Sequence, residues 1–455
     1  MNRRAFLKAA AGAGLMMLAG RRGQAAKSGR RPNFVIILAD DLGCGDISLY
    51  DGWIKTPRID RMAREGVKFT DFHSNGSVCS PTRVAFLTGR YQQRVGIVDV
   101  ITGKDDLGLE PGEITMADLM KEAGCRTAIF GKWHCGGQLR HNPTKHGFDE
   151  FIGFLPGGCD YSSHKDWLDG TEVKEQKGYS THIITDKSVD FIRRNRDNPF
   201  FLYVAHQAVH NYYQIPSDPP GTRGRDIPLS GQEARDRYKI MLEELDKSVG
   251  RILDTIGELG LDENTFVFFF SDNGAVNLGG GPSPFRGGKF SNYEGGHRVP
   301  AAARWPGHIK AGWMSDELLV GMDLLPTVMD IAGIKIPRQR KLDGISVKDH
   351  LLDRAHLPQR RVFFGYEPKL GTAMRDGNCK MQTKGDVVEL YDLSKDIKET
   401  TNVADKYPQR AAEMKAAIEK WKKDVTPAPC AAYSSATGRM VDAPSQCCPV
   451  RSLRR

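Results

Sequence analysis

Three nearly unbroken apolar runs punctuate the chain: Asn33–Leu38 (NFVIIL), Pro199–Ala205 (PFFLYVA) and Thr265–Phe270 (TFVFFF). A strand with one wet face alternates, so runs of this kind predict strands covered on both faces, as in a parallel sheet. Arg126–Phe130 and Val67–Phe72 read as further strands. Between them the spacing turns helical. Pro57–Gly66 repeats Ile59, Met62 and Ala63 on one face, Glu113–Gly124 is amphipathic and closed by Gly124, and Ser180–Arg193, Glu233–Glu258 and Met322–Gly333 follow. Gly147–Gly170, rich in Gly and Asp, reads as loop. This alternation predicts an α/β fold with a mostly parallel sheet between helices. The pattern changes near residue 340. Val362–Gly365, Ala373–Gln382 and Val387–Leu393 predict a small antiparallel sheet, and Tyr407–Lys423 a helix packed on it. The expected divisions are a leader over 1–26, a main domain over 31–340, a smaller α+β subdomain over 341–425 and a cysteine-containing tail over 426–455.

Charge changes this picture little. The 455 residues carry a formal +9, but residues 1–26 hold Arg3, Arg4, Lys8, Arg21 and Arg22 and no acid, and without them the balance is +4. A body so close to neutral argues against a nucleic-acid partner. No apolar run is long enough to span a bilayer. The leader, with its paired arginines, apolar Ala9–Gly20 and small-residue Gly23-Gln24-Ala25-Ala26, resembles a twin-arginine export signal, and it has no lipobox cysteine. The expected location is periplasmic or secreted, reached through the twin-arginine translocase. An exported chain with nine cysteines can form disulfides, and connectivity stays open. Cys430, Cys447 and Cys448 in the tail are the favoured place for a local staple.

Candidate chemistry gathers at the strand ends. The run Asn33–Leu38 leads into Asp40-Asp41, and Thr265–Phe270 into Asp272-Asn273. Either pair alone reads equally well as a turn or cap. Together they offer hard oxygen ligands where open α/β sheets bind theirs, a set that suits Ca²⁺, then Mg²⁺, and not zinc. Lys132-x-His134 follows another strand. His206 and His210 are four apart, but after a strand rather than on a helix, which removes the zinc reading. Cys79, Pro81 and Arg83 open a predicted helix, with Cys79 and Arg83 one turn apart on the same face. An anion is favoured at such an N-terminus.

The stretch from Cys79 to Arg90 (CSPTRVAFLTGR) resembles the signature of the type I sulfatases, and FVIILADDLG, FGKWH, FLYVAHQAVH, FSDNGA and RGGKFSNYEGG follow in that family's order. The resemblance implies an alkaline-phosphatase-like fold and hydrolysis of sulfate monoesters. It also implies that a cytoplasmic maturase oxidises Cys79 to formylglycine. The hydrated aldehyde attacks sulfur with one hydroxyl and later expels sulfate through the other. By the same resemblance Asp40, Asp41, Asp272, Asn273 and the modified Cys79 hold one Ca²⁺, and Asp272 takes part in deprotonating the attacking hydroxyl. Arg83 fixes the helix, Lys132, His210 and Lys289 bind sulfate and stabilise the leaving oxygen, and His134 takes the second proton.

Departures fall on the substrate side. Val209 replaces a proline, Asn211-Tyr212-Tyr213 replaces Thr-Pro-Leu, His206 stands for an apolar residue and His297 for an aliphatic one. His206 and His297 on that ground, and His164 because CDYSSHKD lies in the loop region that could line the substrate mouth, are candidates to face the substrate, expected to be a sulfated glycan. A phosphomonoester or phosphonate hydrolase of the same superfamily, and a non-catalytic glycan-binding relative, are the alternatives.

Overall fold

The computed structural model describes residues 30–102, 106–222, 227–228, 230–276, 283–365 and 370–426, and the backbone of 432–434 and 439–441. The leader and Cys430, Cys447 and Cys448 lie outside the described residues, as does part of the glycine-rich stretch 279–288. The apolar runs become neighbours in a ten-stranded sheet. From one edge its order is Trp313–Ser315, Val67–Phe69, Ala301–Arg304, Thr265–Ser271, Asn33–Ala39, Phe200–Ala205, Arg126–Lys132, Glu150–Phe154, Leu168–Asp169 and Glu172–Val173. The five strands from Thr265–Ser271 to Glu150–Phe154 are mutually parallel. Leu38 pairs with both Ala205 and Phe270, so the residues after each strand emerge along one edge.

Both faces are buried. Phe34, Ile36 and Leu38 join Phe266, Phe268 and Phe270 on one side, packed against Val84, Phe86 and Leu87 of the helix Cys79–Thr88 and against Leu325 and Val328 of Leu324–Ala332. Val35, Ile37, Val267 and Phe269 face the other way, onto Ile59 and Met62 of Pro57–Arg64, Ile184 of Ser180–Arg194, and Met241 and Leu245 of Gly231–Glu258. The result is the mixed, mostly parallel sheet between helices that was expected. Among the described residues no helix is long and apolar enough to cross a membrane.

Three expectations are corrected. Gly147–Gly170 is not all loop, because Glu150–Phe154 is a full strand of the main sheet. Its Gly153 lies across from Gly131, and a Cβ there would stand 1.9 Å from the Gly131 carbonyl, so a glycine required by close strand approach looked like a loop residue. Val67–Phe72 divides into Val67–Phe69 and Phe72–His73, and the second piece pairs instead with Leu319–Val320. Ala373–Gln382 is two strands, Thr372–Asp376 and Cys379–Lys384, folded at Gly377, whose φ of 60° a glycine holds easily.

Those strands, with Arg361–Gly365 and Val387–Asp392, form a four-stranded antiparallel sheet. Pro408–Val425 covers it through Met414, Ile418 and Trp421, and Trp421 stacks on Phe363 at 4.8 Å. Buried charge joins this sheet to the chain that follows Lys289. Glu294 accepts from Arg375 and Lys380 at 2.9 and 3.0 Å, and Lys380 also meets Glu399 at 2.9 Å. Cys44, Cys135 and Cys379 are free thiols.

The helix Pro57–Arg64 has no side-chain cap of its own at Thr56. Asp246, from Gly231–Glu258, supplies one from outside by accepting from the amides of Arg58 and Ile59 at 3.0 and 2.9 Å. Asp246→Ala should lower unfolding stability by about 1–2 kcal/mol in urea denaturation. An unchanged midpoint would count against the borrowed cap.

Candidate active site

Parallel strands deliver their following residues to one edge, and here that edge collects Asp40 and Asp41, Lys132 and His134, His210, and Asp272 and Asn273. The turns are tied to one another. The Asp40 amide donates to Ala208 O at 2.9 Å, the Val209 amide to Asp40 O at 2.7 Å, and the Asp272 amide to Ala39 O at 3.1 Å. Asp41 takes a left-handed φ of 60°, which aspartate tolerates better than most residues. Cys79 is the first residue of a wholly buried helix, and Sγ lies 3.5 Å from Asp40 Oδ1.

Arg83, one turn further, is fully buried. Its Nε and Nη2 donate to Asp272 Oδ2 at 3.0 and 2.8 Å, while Nη1 donates to Lys132 O at 3.0 Å and Tyr203 Oη at 3.2 Å. Lys132 Nζ meets Asp40 Oδ2, and Lys289 Nζ meets Asp41 Oδ1 at 2.7 Å. Three carboxylates thus face three fixed cations, all buried except Lys289, which is half-buried.

The protonation states follow from this crowding. Burial, with Asp272 next to it, pushes Asp40 up to about 7 against the pull of Lys132. Burial also opposes ionisation of Asp41, yet Lys289, His210 and Lys132 hold it below the usual carboxylate range. The Cys79 thiol is pushed up by burial, then by Asp272 and Asp40. Burial lowers His210 to about 4 even though Asp41 favours its charge, and it takes His134 well below the ordinary imidazole value, helped by Lys132 and Arg83.

His134 is therefore neutral, and its tautomer is set by its partner. Nε2 lies 3.0 Å from Ile101 O, a carbonyl that can only accept, so the proton sits there. Nδ1 is then a buried lone pair without a partner among the described residues. Gly157 lies against the ring: a Cβ there would come 2.7 Å from Cε1 and Nε2. Likewise His210 Nδ1 donates to Asn211 O, which leaves Nε2 3.8 Å from Asp41 Oδ2.

The donor set fits a hard cation. Single ligand atoms from Asp40, Asp41, Cys79 and His210 lie within 4.8 Å of one another. Asn273 uses Nδ2 on Asp41 Oδ1 and Gly274 O at 2.8 and 3.0 Å, and its buried Oδ1 accepts nothing. An orphaned amide oxygen on a residue bonded to Asp41 is what an oxygen-seeking ion needs, although Asp272, whose Oδ2 Arg83 occupies, is not part of that group. The cluster of His73, Glu294 and His297 differs, because Arg375 and Lys380 already occupy Glu294.

The edge thus joins Cys79, Arg83, Lys132, His134, His210, Lys289, Asp40, Asp41, Asp272 and Asn273, and three expected substrate contacts lie elsewhere. His206 is buried under the helix Gly231–Glu258, with Nε2 2.9 Å from Ser248 Oγ. His164 is buried against Trp167 and hydrogen-bonded to Gly178 O at 2.9 Å. His297 is buried, stacked on Phe364 at 3.9 Å and bonded to His73 at 2.8 Å. Each had looked like surface or mouth because a histidine in a loop carries no sign of its packing. Two supporting phenols were missed. Tyr203 reaches Arg83, and Tyr161 Oη donates at 2.9 Å to the carbonyls of Gln207 and His210. A lone hydroxyl inside the apolar run FFLYVA was the available signal for the first.

A strand-end edge that pairs a hard-cation site with buried ammonium groups is built for hydrolysis of oxyanion esters. Residues 32–334 match the Sulfatase family and residues 288–424 the family described as N-sulphoglucosamine sulphohydrolase, C-terminal. The chain belongs to the sulfatase family and is a hydrolase of sulfate esters. It is 36% identical over 375 residues to N-acetylgalactosamine-6-sulfatase of Rattus norvegicus, covering 75% of this chain and 69% of that protein. It is 31% identical over 437 residues to steryl-sulfatase of Rattus norvegicus, covering 75% and 74%. Among solved structures it resembles Ps i-CgsB in complex with k-i-k-neocarrahexaose, with a TM-score of 0.80, 27% identity, and 88% and 94% of the two chains covered.

Removing the guanidinium would leave Asp272 buried without its counter-charge. Arg83→Met should cost about 3–5 kcal/mol of unfolding free energy. A variant that unfolds in urea at the wild-type midpoint would refute the clamp.

Proposed function

We propose that this protein hydrolyses sulfate monoesters on carbohydrates, with formylglycine made from Cys79 as nucleophile and one Ca²⁺ as cofactor. The observation that carries the reading is the position of Cys79: a helix start, 3.5 Å from Asp40, on the edge where three carboxylates meet three cations. The sulfur stands where the formylglycine oxygens would be.

Asp40, Asp41, Asp272 and Asn273, with the modified residue, would hold the ion, whose charge polarises sulfate oxygens and lowers the cost of ionising a hydroxyl. The remaining chemistry belongs to side chains. Because the fixed carboxylates and cations balance, a divalent ion leaves the site positive and suited to an anionic ester. Lys132, Lys289 and His210 bind the sulfate oxygens and stabilise charge on the leaving oxygen. Asp272 and Asp40 are the carboxylates that act on the attacking hydroxyl. The contact to position 79 comes from Asp40, while Arg83 occupies Asp272 Oδ2. His134 Nδ1, unprotonated and unpartnered, accepts the proton of the second hydroxyl when sulfate is released.

The carbohydrate assignment is supported by the names of similar proteins, an N-acetylgalactosamine-6-sulfatase and a structure holding a neocarrahexaose. The leader adds a route: modification in the cytoplasm by a maturase, then export of the folded chain through the twin-arginine translocase to the periplasm or beyond.

Cys79→Ala should abolish turnover of an aryl sulfate while the melting temperature stays at the wild-type value. Peptide mapping of active protein should show an aldehyde oxygen in place of the Cys79 thiol. Turnover of aryl phosphate far above aryl sulfate would reject the sulfatase reading. Chelation should remove activity, and Ca²⁺ should restore it better than Mg²⁺; full activity in excess chelator would exclude the metal.

A further inference from the structure

Phe290 follows the sulfate-binding Lys289, and two features of it run against stability. The residue is 56% exposed. Its backbone has φ 67°, a left-handed conformation that glycine adopts freely and a bulky residue does not. Core packing explains neither, since the ring has no part in the buried clusters. A strained residue with an exposed apolar side chain beside a reaction centre is kept for what it touches.

Its position is fixed from both sides. The Lys289 amide donates to Ala275 O and the Phe290 amide to Ser77 O, each at 3.0 Å, and Ser77 is two residues before Cys79. The ring centroid lies 5.4 Å from Lys289 Nζ, which itself touches Asp41. A sulfate held by Lys289 therefore has this ring at its border, on the partly open side of the site. The ring has no hydrogen-bonding atom, so it selects by face rather than by donor pattern. The C–H face of a pyranose suits such a surface, because burying apolar area against an aromatic ring is favourable while the sugar hydroxyls stay in water.

We propose that Phe290 is a stacking platform for the sugar ring that carries the sulfate, and so a specificity-determining residue rather than a catalytic one. This rests on the carbohydrate sulfatase reading above.

The test compares matured wild type with Phe290→Ala, Phe290→Tyr and Phe290→Gly, using a panel of sulfated monosaccharides, with inorganic sulfate as competitive inhibitor. For the preferred sugar, Phe290→Ala should raise KM roughly tenfold, the loss expected from uncovering part of one aromatic face, with kcat within about twofold. Phe290→Tyr should keep the wild-type KM. Inhibition by inorganic sulfate should be the same in all four proteins. Phe290→Gly should show the raised KM with a melting temperature equal to or above wild type, which separates lost stacking from damaged folding. An unchanged KM in Phe290→Ala overturns the platform. So does a matching loss of affinity for inorganic sulfate, which would mean that the ring only holds Lys289 in place. If wild type turns over no sulfate ester, the sulfatase reading falls and the platform with it, a result distinct from an active enzyme indifferent to residue 290.

Discussion

A single guanidinium holds this molecule's working edge together. Arg83 is fully buried and touches Asp272, the Lys132 carbonyl and the Tyr203 hydroxyl, groups from three different strands or their ends. Burying a cation is costly unless it is paired and its donors are used, and here Asp272 provides the charge while oxygens take Nε, Nη1 and Nη2. The planar fork spreads its contacts over several partners, which a lysine at this position could not do. Because the same helix begins with Cys79, one residue four positions on fixes where the Cys79 side chain sits relative to the strand ends.

That clamp requires close backbones around it. Gly131 and Gly153 let two strands meet where a Cβ would collide, and at Gly274 a Cβ would lie 1.8 Å from Gly295 O. Gly295 adjoins Glu294, the anion that Arg375 and Lys380 hold from the small sheet. The four-stranded sheet thus grips the segment that begins at Lys289, and its charge network bears indirectly on the lysine that pairs with Asp41. Catalytic edge and small sheet are two ends of one chain of buried ion pairs and tight backbone contacts.

Much of the fold was legible because parallel strands with two buried faces have a plain signature. Asn33–Ala39, Phe200–Ala205 and Thr265–Ser271 each lie within a residue of the apolar run that predicted it. Glu150–Phe154 was not legible: it carries a glycine imposed by its neighbour's backbone, a constraint that local patterning does not contain. The turn at Gly377 had a local sign, Asp376-Gly377-Asn378, obscured by apolar residues on both sides. In the site, the family motifs located the charged groups and the two histidines that meet at the edge, most of which follow a strand or open a helix, but not Tyr203. They gave no access to Tyr161, whose hydroxyl reaches the His210 carbonyl from 49 positions away.

The histidines show where legibility ends and why. His134 Nδ1 has no partner among the described residues, and His210 Nε2 lies 3.8 Å from Asp41 Oδ2 at the strand-end edge. His206 lies under a helix and His297 stacks against the small sheet, so their departures from the family pattern answer to packing rather than substrate. The groups proposed to meet sulfate are interlocked and, Lys289 and His210 apart, buried, as suits an anion that is the same whatever carries it. The groups free to vary with the carrier, Asn211, Tyr212 and Phe290, are partly or well exposed. Interlocking makes the chemistry readable from short motifs, and the lack of it at the mouth is why those motifs do not name the carrier.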